Sequence, residues 1–113
     1  MPSFNILDIK SVRFKNFHID PSTGHSRDLG SINKAKKESK TLGGASSVRA
    51  FSDKVKAYDF LAEWKKADTA ARRAKLQRER EDLLEKLREV LSVEDRLEHI
   101  QRCVAIEGFL EAL

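Results

Sequence analysis

Apolar residues recur at two different spacings along this chain, and the change of spacing divides it. In the first third Phe4, Ile6, Ile9, Val12, Phe14, Phe17 and Ile19 interleave with polar residues, and Val12-Arg13-Phe14-Lys15 alternates strictly. That period of two predicts a strand over Ile9–Phe14. Phe17 and Ile19 fall on the opposite phase from Phe14, so a bulge or turn at Lys15-Asn16 should separate two short extended pieces. Pro21, Gly24 and small polar residues make Asp20 to Leu29 a loop. Ser31 is placed to cap a short helix over 32–42, closed by Gly43-Gly44.

Beyond Gly44 no glycine or proline occurs until Gly108, and the spacing becomes helical. One long helix is predicted over about 47–91. Its first half is apolar on two sides: Phe51, Val55, Tyr58 and Ala62 share one, and Phe60, Trp64, Ala67 and Ala71 lie nearly opposite. Two stripes imply two packing partners. From Lys65 to Asp82 the only large aliphatic residue is Leu76, so alanine propensity and i,i+4 pairs such as Asp68 with Arg72 support the helix there. Leu76, Leu83, Leu87, Val90 and Leu91 then restore a single coiled-coil-like stripe. Ser92-Val93-Glu94-Asp95 has the form of a cap with acids in the first turn, which starts a C-terminal helix over about 93–112. Val93, Leu97, Ile100 and Val104 are expected to cover Leu83, Leu87 and Val90 as a helical hairpin, leaving Ile106, Phe109, Leu110 and Leu113 exposed.

The fold class that results is mainly α: a long central helix and a C-terminal helix over 46–113, preceded by an extended arm over 1–45 with one or two short strands. An arm so basic and so poor in apolar residues should be unstable alone, so contact with something larger is expected to order it. The 113 residues are 40% hydrophobic and 35% charged, enough for one domain with a modest core. The net charge of +4 conceals a polarity, because residues 1–80 carry 18 Lys/Arg against 9 Asp/Glu and residues 81–113 carry 4 against 9. Such polarity permits head-to-tail self-association or docking on an acidic surface. A lone Cys103, no apolar leader and no long apolar run make an intracellular, cytoplasmic protein without a membrane segment the expectation.

Candidate chemistry is sparse. The stretch Ile6 to Phe17, ILDIKSVRFKNF, resembles the opening strand of RecF-type ATPases, a likeness over about a tenth of the chain. That family continues into a glycine-rich phosphate loop ending in Gly-Lys-Ser/Thr, whereas here Ser31-Ile32 follows Gly30. No nucleotide site follows from it. His18, Asp20, His25 and Asp28 match no established metal spacing, and His99 has no serine or thiol arrangement around it that suggests a triad. No catalytic residue, cofactor or metal is expected.

Two readings of function remain. The first is a non-enzymatic interaction or assembly subunit of a larger complex, such as a viral particle or a small inhibitor, binding a protein partner or further copies of itself. Its recognition residues would be Val12 and Phe14 on the arm, Phe60 and Trp64 on the long helix, and Ile106, Phe109 and Leu110 on the last. The second is a nucleic-acid-binding accessory protein using Lys34, Lys36, Lys37 and Lys40 together with Arg72, Arg73, Lys75, Arg78 and Arg80. The second cluster scatters around its helix and alternates with Glu79, Glu81 and Asp82, which weakens that reading.

Overall fold

In the computed structural model, which describes residues 5–113, the phase switch at Asn16 is a two-residue turn joining β1 (Ser11–Phe14) to β2 (Phe17–Ile19). Phe4 lies outside the described residues. The strands pair antiparallel with Val12 opposite Ile19 and Phe14 opposite Phe17. Lys15 adopts φ 54°, a left-handed conformation that costs an L residue about 1–2 kcal/mol. Lys15→Gly should therefore stabilise the protein by roughly 0.5–1 kcal/mol, read as a raised urea midpoint.

The first third is not an extended arm with one or two strands. It is a four-stranded sheet in the order β3-β2-β1-β4, with β3 (Ser26–Asp28) antiparallel to β2 and β4 (Val48–Phe51) parallel to β1. A parallel pair needs a crossover, and α1 (Ile32–Thr41) lies within it. Ser31 caps α1 by accepting from the Lys34 amide at 3.2 Å, and Gly43 ends it with φ 114°.

The long helix is also shorter than 47–91. Residues 48–51 belong to β4, and α2 spans Lys54–Lys86. Asp53 starts it, its side chain accepting from the Val55 amide at 2.8 Å and its carbonyl from the Ala57 amide at 3.1 Å. At the far end the Arg88 and Glu89 amides reach back only three residues, to Glu85 and Lys86, which tightens and closes the last turn. Val90 and Leu91 are therefore not helical. Ser92 caps α3 (Val93–Ala112) by accepting from the Asp95 amide at 3.2 Å.

Two compact units make up the chain, residues 1–68 and 69–113. The core of the first contains Ile9, Val12, Ala35, Val48, Ala57 and Trp64. One sheet face carries His18, which is 4% exposed and bridges Ser11 Oγ at 2.8 Å and the Ala35 carbonyl of α1 at 2.9 Å. The opposite face carries Phe51, whose ring lies 5.5 Å from that of Phe60 on α2. Trp64 donates its indole N–H to the Ile9 carbonyl at 3.0 Å. The sheet, α1 and the start of α2 thus share one core. The sheet covers the Phe60–Trp64 side of α2, while Val55 and Tyr58 on the other side are 66% and 57% exposed.

The second unit is a helical hairpin formed by the rest of α2 and by α3. On α2 and the turn that closes it, Leu76, Arg80, Leu83 and Leu87 are half-buried at alternating four- and three-residue spacing. On α3, Cys103 and Ile106 are buried and His99 and Leu110 half-buried at the same spacing.

Candidate docking surface on the hairpin

Which side of α3 faces α2 decides what the protein presents to others. The helix has two apolar stripes. His99, Cys103, Ile106 and Leu110 form one, while Val93, Leu97, Ile100 and Val104 form the other, about a third of a turn away on the helical wheel. The second is the more hydrophobic, and it was expected to face inward. The structure turns it outward, with Val93, Leu97, Ile100 and Val104 exposed by 74%, 52%, 47% and 63%.

Ion pairs flank the inner stripe. Arg102 and Glu107 project from its two margins. Arg102 makes two bonds to the Glu79 carboxylate, at 2.7 and 3.1 Å, and Glu107 meets Arg80 at 3.2 Å. The Arg102 guanidinium holds the Glu79 carboxyl below its ordinary value, first through the hydrogen bond and then through its charge. The arrangement leaves one polar defect, since Arg80 Nε is buried without a hydrogen-bond partner.

At the end of the hairpin away from the connection between the helices lies an open groove of ≈ 530 Å³. Leu76, Phe109, Ala112 and Leu113 form its apolar lining, with Arg72 and Lys75 on its rim. Phe109 is 51% exposed, with the Arg102 guanidinium 5.9 Å from its ring centre.

The anchors anticipated from sequence divide sharply. Val12, Trp64 and Ile106 are buried inside the chain and offer no surface. Phe14, Phe60 and Leu110 are half-buried, Phe60 lying under the Arg49 guanidinium at 5.7 Å. Among the seven, Phe109 alone is exposed. Sequence spacing groups Ile106 and Leu110 with Phe109 and Leu113, whereas the buried seam joins them to His99 and Cys103. Val55 and Tyr58 were recognised as one of two apolar sides, and only their exposure is new.

The basic residues also separate. Lys34, Lys36, Lys37 and Lys40 are all exposed on α1, whereas Ala35 on the same helix is fully buried. In the other cluster Arg80 is tied to Glu107, and Arg73 reaches the Leu113 carbonyl oxygen at 3.4 Å. Lys75 and Arg78 are exposed, and Arg72 stands on the groove rim. His18 uses both ring nitrogens structurally, and among the described residues no group of three His, Cys, Asp or Glu is placed to hold a metal ion. Among the described residues no helix is long and apolar enough to cross a membrane. No protein-family model, curated protein or solved structure matches this chain.

Proposed function

We propose that the chain is a non-enzymatic interaction or assembly subunit that docks through the outer stripe of α3. The observation that carries this reading is the exposure of Val93, Leu97, Ile100 and Val104 in one line at coiled-coil spacing. A helix needs one apolar stripe to hold its place in a hairpin. A second, largely outside that seam, adds little to the stability of the isolated chain and has the form of a helix-in-groove recognition face. Burying a large aliphatic side chain fully is worth about 1.5–3 kcal/mol, so these four suffice to anchor an interface of moderate affinity.

The direct test replaces Leu97 and Ile100 together by glutamate. Because both are about half exposed, helical content should stay within experimental error of the original while association falls by at least about 100-fold, measured by light scattering. Unchanged association would remove the stripe from consideration.

The lysines of α1 favour a second reading, a nucleic-acid-binding accessory role, because they occupy exposed positions on one short helix. The two readings part on salt. Phosphate contacts make affinity fall steeply between roughly 50 and 200 mM salt, whereas docking through an aliphatic stripe is far less sensitive.

A further inference from the structure

The lysines of α1 occupy one side of it only. At about 100° per residue, Lys34, Lys36, Lys37 and Lys40 all lie at least about 100° from Ala35, the buried residue of the helix, whereas Glu38, its one acid, lies about 60° from it. Glu38 is held by Arg27 of β3 at 2.6 Å. The four lysines are exposed, and among the described residues none of them meets a carboxylate. Standing three or four residues apart, they are neighbours that repel one another and weaken the helix that carries them. A polyanion laid along this face relieves that repulsion.

The surroundings of α1 are basic as well. Lys10 lines a cavity together with His18 and with Leu42, the residue that ends α1, and gives one of its N–H groups to the Leu7 carbonyl at 3.0 Å. Over residues 5–52 nine Lys/Arg stand against four Asp/Glu, and three of those acids are already engaged, Asp20 by Ser22, Asp28 by Asn16 and Glu38 by Arg27.

The lysine face lacks what other partners require. Ile32 and Leu42, the large apolar residues of α1 and its cap, lie within about 60° of Ala35 and so outside the lysine arc. A lipid surface needs an apolar face to bury, and the core of a protein interface is poor in lysine. Phe14, Phe17 and Phe51 belong to the sheet face opposite His18, which leaves the bases of a single strand no ring to stack on beside α1. The phosphates of a duplex need neither an apolar anchor nor a ring. Resting on the nucleic-acid reading of the α1 lysines, we propose that this face binds the phosphate backbone of duplex nucleic acid without regard to sequence.

Fluorescence anisotropy of the full chain with labelled duplexes of about 20 base pairs tests this. Two duplexes of unrelated sequence should bind within about twofold of each other, and a single strand of the same length at least about 10-fold more weakly. Four phosphate contacts predict a loss of affinity of about 100-fold between roughly 50 and 200 mM salt. The combined variant Lys34→Gln, Lys36→Gln, Lys37→Gln, Lys40→Gln, with retained circular dichroism to show that it is folded, should lose at least about 100-fold at 50 mM salt and most of the salt dependence, whereas Lys75→Gln with Arg78→Gln should stay within about twofold of the original. A combined variant that binds like the original would overturn the placement on α1. A single strand bound as tightly as the duplexes would overturn the duplex assignment and leave the nucleic-acid reading standing. Tighter binding to phosphatidylserine vesicles than to either duplex would make the face a lipid-binding one and overturn the proposal. No binding to any nucleic acid with protein up to about 100 μM at 50 mM salt would overturn both the proposal and the reading beneath it.

Discussion

Trp64→Ala should unfold the N-terminal unit, at a cost of about 3–5 kcal/mol, a large part of the total stability of a small domain. The indole is 6% exposed and ties α2 to Ile9, two residues ahead of β1, through its bond to the Ile9 carbonyl, so its removal leaves a cavity and an unsatisfied carbonyl together. Trp64→Phe separates the two losses, since it keeps most of the volume and forfeits the bond, at about 1–3 kcal/mol. Hydrogen exchange reads the result by place. Amides in the β1–β2 and β1–β4 ladders should lose protection, and amides of α3, in the other compact unit, should keep theirs.

The second large effect is expected at Ile106, which is fully buried in the hairpin seam. Ile106→Ala should cost about 2–5 kcal/mol, whereas Ile100→Ala, at a position 47% exposed, should cost less than about 1 kcal/mol in the isolated chain. Urea unfolding followed by circular dichroism measures both. The comparison bears on which stripe faces inward, because the two residues are the same type on the same helix. Were the outer stripe the packed one, the order of the two costs would reverse.

Some of this architecture could be read locally and some could not. The β1–β2 turn was legible because a change of phase between Phe14 and Phe17 is a property of neighbouring residues. The ends of α1 were legible too, since Ser31 and Gly43 act on backbone groups within their own turn. β3 left no signal: Ser26-Arg27-Asp28 has no apolar residue, and its extended form is supported by pairing with β2. β4 was hidden differently. Val48-Arg49-Ala50-Phe51 sits in a stretch free of glycine and proline, and it pairs with a strand more than thirty residues earlier, a contact that no local window contains. Asp53, which caps α2 just after it, lies inside the same stretch free of glycine and proline, where spacing alone extends the helix back to 47.

The candidate site shows the same division. Both stripes of α3 were partly written in the sequence, but their strengths misled. Hydrophobicity alone favours burying Val93, Leu97, Ile100 and Val104, whereas the packed side is the one flanked by Glu79 with Arg102 and Arg80 with Glu107. Those partners are 23 and 27 residues apart along the chain, so their influence emerges only once the hairpin is formed. Trp64 was misplaced for a related reason. It was one of two stripes on α2, and without knowledge of the sheet nothing indicated which would be covered.

The proposed docking role requires the outer stripe of α3 to face away from its own chain and to become covered when the protein associates. Thiol labelling of Leu97→Cys in a Cys103→Ala background tests it most directly. At about 1 μM the thiol should react nearly as fast as in the unfolded chain, and the rate should fall at least about 10-fold as the protein is raised toward about 1 mM. A rate independent of concentration would contradict the account, because a slow one would place Leu97 inside its own hairpin and a fast one would leave the stripe uncovered.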